Sequence, residues 1–166
     1  MKKGKKMKKI NLFLLSFFGI CAIFAGCAKI TPQSSQAVSF SVISPNLKVS
    51  DAGFIHKFKE KTELQIYNSG VSILKLEIFE NKICLNSACD DEATFNRKFF
   101  KDTHYNGFFS DILNHRPIYN AKNLQKSDCG FLQNISENFI EYKFCNDLVE
   151  FADTKNKIKI KLKELK

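Results

Sequence analysis

The sequence predicts a mainly β chain with short α-helices: a curved antiparallel sheet that forms an incomplete, half-open barrel under a helical lid. Three observations predict it. Apolar and polar residues alternate along most of residues 37–166, the period changes to helical spacing twice in mid-chain, and alternation then resumes towards the C-terminal end. A long antiparallel sheet must bury its apolar face, and two helices inserted between its halves are placed to cover a sheet that curls without closing.

Taken in order, Val38, Phe40 and Val42 alternate with Ser39 and Ser41, which predicts a half-buried strand over Ala37 to Ile43, ended by Ser44-Pro45-Asn46. A strand through Gly53 to Phe58 follows, then a turn at Lys59 to Thr62 and a strand with Leu64 and Ile66 facing one way. Asn68-Ser69-Gly70 breaks that run. Leu74, Leu76 and Ile78 alternate with Lys75 and Glu77, and Ile83 and Leu85 continue the pattern after Glu80-Asn81-Lys82. Ala93, Phe95 and Phe99 recur at helical spacing behind Asp90 or Asp91 as a cap, and Phe108, Phe109, Ile112 and Leu113 make a second short helix that Pro117 ends. A polar loop over Asn120 to Asp128 leads to strands at Phe131 to Ile135 and around Ile140, Tyr142 and Phe144. Last, Ile158, Ile160 and Leu162 alternate with Lys157, Lys159, Lys161 and Lys163. A lysine row on a strand is ordinarily solvated exterior that discourages edge-to-edge pairing; a phosphate-binding face is the alternative.

Ahead of the sheet, residues 1–26 read as a targeting segment. Lys2, Lys3, Lys5, Lys6, Lys8 and Lys9 precede the apolar run Ile10 to Phe24, which is too short for a membrane-spanning helix and suits a secretion signal. Ile23-Phe24-Ala25-Gly26-Cys27 is a bacterial lipobox: small residues fit a signal-peptidase cleft, and the Cys27 thiol is the acceptor for a diacylglycerol. Two or three acyl chains anchor stably where one is marginal, so the mature protein is expected to be tethered to membrane lipid through Cys27 and not embedded. Ala28 is not the aspartate that retains lipoproteins at the inner membrane, which points to the outer membrane and its periplasmic face. Residues 27–36, with Thr31, Pro32, Gln33, Ser34 and Ser35, read as a flexible tether, and residues 37–166 as a single domain.

The chain's net charge of +9 is mostly that signal, because six of its 26 basic residues and none of its 17 acidic ones lie in residues 1–26, leaving +3. Such a balance gives no ground for a nucleic-acid partner. With 17 phenylalanines, four tyrosines and no tryptophan, the aromatic content is concentrated in one residue type, and Phe99-Phe100 and Phe108-Phe109 are neighbouring pairs.

Beyond the inner membrane disulfides are permitted. Cys84 and Cys89 flank a turn centred on Asn86-Ser87, and Cys129 and Cys145 flank two strand-like runs whose midpoint is Glu137. Four cysteines allow three connectivities, and hairpin symmetry selects Cys84–Cys89 with Cys129–Cys145. The alternatives are buried free thiols or a metal site, for which one Cys-x4-Cys without a nearby histidine is a poor motif.

Catalytic constellations are missing, so no enzyme activity and no cofactor is expected. His56, His104 and His115 are scattered, no serine sits in a Gly-x-Ser-x-Gly elbow, and neither a phosphate-binding glycine loop nor a His-Glu-x-x-His run is present. Asp90-Asp91-Glu92 suits a helix N-terminus; a calcium site is the alternative reading.

In layout the chain resembles the outer-membrane lipoprotein receptors called LolB and their periplasmic relatives LolA. Glu63-Leu64-Gln65-Ile66-Tyr67-Asn68-Ser69-Gly70-Val71 stands where that family has its Tyr-x-Leu-x-Leu-like strand and following turn. Gly107-Phe108-Phe109-Ser110-Asp111-Ile112-Leu113 with Arg116-Pro117-Ile118 resembles the lid helix and its proline segment, and Asn138 to Phe144 with Lys157 to Leu162 the closing strands. The resemblance implies a receptor that takes the acyl chains of lipoprotein cargo from a LolA-type carrier and inserts them in the outer membrane, without bond chemistry. It implies an apolar cavity, for which alternation and the paired phenylalanines nominate Leu76, Phe99, Phe109, Ile112 and Tyr142. Val71 stands where the family carries an exposed, membrane-touching apolar side chain; otherwise it simply begins the next strand. A second function class stays open: a lipid-anchored module that binds a protein or envelope polymer and has no lipid cavity.

Overall fold

Alternation along the chain becomes eleven strands in one antiparallel sheet, ordered β6-β5-β4-β3-β2-β1-β11-β10-β9-β8-β7. The computed structural model describes residues 31–166. Lipidation at Cys27 and the signal segment 1–26 lie outside the described residues.

Strands β1 (Ser34–Ile43) and β2 (Lys48–Lys57) form the first hairpin, β3 (Lys61–Asn68) and β4 (Val71–Phe79) the second, and β5 (Lys82–Leu85) with β6 (Ala88–Asp91) the third. The lid follows: α1 (Glu92–Phe99), α2 (Phe108–Leu113) and a 3-10 turn at Tyr119–Ala121. Strands β7 (Leu124–Ser127), β8 (Gly130–Ile135), β9 (Ile140–Cys145), β10 (Leu148–Asp153) and β11 (Ile158–Glu164) complete the sheet, and β11 pairs with β1.

One face of this sheet is mostly apolar, interrupted by the buried Gln133 on β8 and Asp153 on β10. Phe40 lies opposite Leu162 and Val42 opposite Ile160 across β1 and β11, and Leu64 opposite Leu76 and Ile66 opposite Leu74 across β3 and β4; all eight are buried. The lysines of β11 point the other way and are exposed, with Lys161 paired to Glu150 at 2.7 Å. A Cβ at Gly53 would lie 2.0 Å from the Gln65 carbonyl oxygen, so the close approach of β2 to β3 requires glycine there.

The two edge strands, β6 and β7, do not pair with each other, so the barrel stays open. They are consecutive strands in the sequence, and segment 92–123 between them holds both helices. The element that covers the apolar face is thus the connection across the opening itself.

Several boundaries differ from expectation. Strand β1 begins at Ser34, inside the expected tether, because Ser34 to Gln36 pair by backbone with Lys57 to Ile55, a bond pattern that needs no apolar period. For the same reason β2 begins at Lys48 and β3 at Lys61, whose polar ends are fixed by ladder hydrogen bonds. The expected polar loop Asn120 to Asp128 holds the 3-10 turn and β7, an exposed edge strand whose Leu124, Gln125 and Lys126 carry no alternation. Strand β10 has pattern-competent residues, Val149 and Phe151, in a run too short to stand out.

Both hairpin disulfides are present. Cys84 lies directly opposite Cys89, with 3.9 Å between Cα atoms, across a turn in which Asn86 and Ser87 both take positive φ. Cys129 joins Cys145 at 4.8 Å, but the register is one residue off the symmetric expectation: Gly130 is opposite Cys145, because the β8–β9 turn runs from Ser136 to Phe139.

Candidate functional site: the covered face and its lid

The lid starts with a well-formed cap. Asp91 accepts the Thr94 N–H at 2.9 Å, Asp90 pairs with Lys98 at 2.6 Å, and Arg97 and Lys98 occupy the last turn, as the helix dipole favours. The acidic run Asp90-Asp91-Glu92 is therefore engaged in helix capping and lid contacts. Gly107, at φ 93°, lets the chain reverse into α2. Along the lid Phe95, Phe100, Phe108, Phe109, Ile112 and Leu113 are buried.

These side chains form one aromatic cluster. Phe109 lies 5.9 Å from Phe95, 5.4 Å from Phe99 and 5.4 Å from Phe100 between ring centroids, and Phe100 and Phe108 each reach Phe151 on β10. Offset and edge-on pairs of this kind add about 0.5–1.5 kcal/mol each beyond their burial. The neighbouring Phe99-Phe100 and Phe108-Phe109 pairs make sense here: Phe100, Phe108 and Phe109 are buried and Phe99 is partly buried against the same core.

Of the nominated cavity residues, Leu76, Phe99 and Phe109 meet around a single void, with Phe40, Val42, Leu47, Leu74 and Leu85. Its volume is about 10 Å³. Room of that size admits about one water. Ile112 and Tyr142 are buried in the same core but do not border the void. The Tyr142 hydroxyl is enclosed without a hydrogen-bond partner among the described residues, and burial raises its pKa. In this conformation the covered face is filled by the protein's own lid.

Polar contacts hold the lid at few points. Gln133, inward on β8 and fully buried, accepts the Ile118 N–H at 2.8 Å and donates to the carbonyls of Ile118 at 2.9 Å and Lys122 at 2.7 Å. Lys155 reaches Asp102 at 3.3 Å. Within the lid, His104 stacks on Phe108 at 3.9 Å with its Nδ1 2.6 Å from the Tyr119 hydroxyl, and Tyr105 donates to Asp111 at 2.7 Å. Burial lowers the His104 pKa and pushes Tyr119 up to about 12. Sequence reasoning missed these contacts. Gln133 left a readable signal, a polar residue in the apolar slot of an alternating strand, whereas nothing in the local pattern marks His104.

Val71 opens β4 at the tip of the β3–β4 hairpin and is 65 % exposed, with Ile73 beside it at 40 %. It therefore begins a strand and is solvent-accessible at once, because it sits at the hairpin tip beside the Ser69-Gly70 turn, beyond the end of the covered face.

At the other end of these strands lies an open groove of about 770 Å³, bounded by the β2–β3 turn, the β4–β5 turn and the start of α2. Phe58, Lys59, Lys61, Phe79, Lys82 and Glu92 border it. Lys61 is held between Glu63, at 2.7 Å, and Glu77. Compared with known proteins, the chain matches no family model and no curated protein.

Proposed function

We propose that the chain is a lipid-anchored receptor of the LolB type, which binds the acyl chains of lipoprotein cargo on the covered face of its sheet and passes them to the outer membrane. The observation that carries this reading is the lid: the segment joining the two open edges brings five phenylalanines, Phe95, Phe99, Phe100, Phe108 and Phe109, onto a largely apolar sheet face. An open sheet covered by a connection has an element that can be displaced without breaking strand pairing.

Magnitudes decide whether displacement is feasible. The seven buried apolar lid residues, Phe95 to Ile118, gain about 1.5–3 kcal/mol each, or on the order of 10–20 kcal/mol together. Two acyl chains of about sixteen carbons gain on the order of 25 kcal/mol at about 0.8 kcal/mol per methylene. Ligand chains and lid aromatics are thus matched competitors for one apolar surface. Handover from a LolA-type carrier then needs only a modest difference in affinity between the two proteins.

A second reading is favoured by the filled interior: a void of about 10 Å³ is far below the roughly 300–1,000 Å³ of ligand pockets. On that reading the domain is a lipid-anchored module that binds a protein or envelope polymer by its outer surface. Photocrosslinking from a photoreactive residue at Phe109 in cells separates the two. The receptor reading expects acyl-linked adducts with other lipoproteins; adducts confined to this chain's own sheet assign the second.

A further inference from the structure

The groove at the β2–β3 end carries its charges in an order that a plain solvated rim does not need. Glu92 is only 4 % exposed and borders the groove. One of its carboxylate oxygens accepts the Gly107 N–H at 2.6 Å; the other has no protein partner among the described residues and is not sealed from the groove. Burial raises its pKa, which is the mark of a carboxylate short of compensating charge. Lys61 does not supply it, being held by Glu63 and Glu77.

Also lining the groove, Lys59 and Lys82 are exposed and make no ion pair among the described residues; Lys82 stands 4.6 Å over the Phe79 ring. Glu60 and Glu80 accompany them, which disfavours a purely anionic ligand. Ile78, part of the core, also borders the groove, so the site adjoins the covered face.

We infer that this groove binds the head of a phospholipid that carries a primary ammonium and a phosphate, the ammonium on Glu92 and the phosphate between Lys59 and Lys82. A primary ammonium donates hydrogen bonds that a half-paired carboxylate accepts, whereas a trimethylammonium has none to give and is recognised by aromatic cages. Phe58 and Phe79 offer apolar surface where the head meets its chains. The inference rests on the acyl-receptor reading and gives that site a ligand preference.

The test is native mass spectrometry of the full-length lipoprotein from detergent micelles, titrated with dioctanoyl phosphatidylethanolamine, phosphatidylcholine and phosphatidylglycerol. Phosphatidylethanolamine is expected to bind about tenfold more tightly than the other two, the size of one charge-assisted hydrogen bond. Glu92→Gln, which keeps an acceptor for the Gly107 N–H, removes that preference. The double variant Lys59→Gln/Lys82→Gln, on exposed positions, weakens phosphatidylethanolamine and phosphatidylglycerol alike. Equal binding of all three lipids to the wild type, or a preference that survives Glu92→Gln, overturns the headgroup site while leaving the receptor reading intact. Absence of any lipid adduct, in the wild type and in Phe109→Ala, overturns both.

Discussion

Gln133 is bonded to both backbone groups of Ile118, taking its N–H and giving a proton to its carbonyl, and so pins the end of the lid to β8. The same amide also reaches the Lys122 carbonyl. Gln133→Leu leaves those buried groups unpaired at about 1–3 kcal/mol for each one that water cannot reach. The variant is expected to lose about 2–4 kcal/mol in urea unfolding. A loss under about 0.5 kcal/mol, the range of surface changes, means that the lid end is not held here.

Removing the disulfides has unequal effects on stability. Cys129–Cys145 spans 16 positions and Cys84–Cys89 only five. In the loop-entropy account, opening the first costs about 3 kcal/mol and the second about 2. Denaturant midpoints of the two Cys→Ala pairs give this order, and non-reducing peptide mapping of the exported protein is expected to find both native pairs and no crossed ones.

The buried His104 and the half-buried His115 make stability depend on pH. Burial lowers the pKa of His104, against the pull of Asp102 and Asp153, and of His115, which stacks on Phe144 at 4.9 Å with Glu164, Lys57 and Asp147 around it. Both ring Nε2 atoms are enclosed without a hydrogen-bond partner among the described residues. The unfolded chain therefore takes up protons at a higher pH than the folded one. Stability is fully present above the unfolded value of about 6.5 and declines as pH falls below it. Thermal midpoints are expected to drop between about pH 7.5 and 5.5, and His104→Gln to flatten part of that slope. Glu92, with a pKa raised by burial, acts in the opposite sense.

Cys27→Ala is expected to yield an unprocessed or soluble product, because its thiol is the only acceptor the lipobox offers. Fractionation with immunoblotting checks it: recovery in membranes at the wild-type level with the signal removed would reject lipidation at Cys27.

The sequence made the architecture legible where period is strong. Strands β1, β4, β9 and β11 alternate over enough residues to declare themselves, and the helical spacing of Ala93, Phe95 and Phe99 and of Phe108, Phe109, Ile112 and Leu113 marks both helices. What stayed hidden depends on partners distant in sequence. Strand β7 is exposed and polar, and exists because Leu124 to Ser127 pair with Gln133 to Gly130. The state of the interior was equally hidden, since alternation marks which face is covered and says nothing of whether Phe99 and Phe109 line a hollow or fill it. The groove around Glu92 draws on two turns and the lid, three segments that no single local pattern links.

The last prediction concerns Val71. Its exposure of 65 % at a hairpin tip means that Val71→Glu buries no charge, so stability is expected to stay within about 0.5 kcal/mol of the wild type. If the tip touches the membrane during delivery, the same change impairs transfer of cargo to liposomes while acyl-chain uptake is unaffected. The fold adds a geometric condition. The Gln33 N–H bonds to the Lys57 carbonyl, so the chain enters the domain at the end of β2, whereas the tip is level with Asp51, which Asn68 contacts at 2.6 Å. Six residues of strand separate the two levels, roughly 20 Å at about 3.3 Å per residue. Residues 27–33 span at most about 25 Å when fully extended, just enough for anchor and tip to reach one membrane with the strands upright, and four residues fewer leave the reach short of about 20 Å. Deleting residues 29–32 should then depress transfer as strongly as Val71→Glu, again with unchanged uptake. Full transfer by both variants, measured with fluorescent cargo and liposomes, removes Val71 from the delivery step.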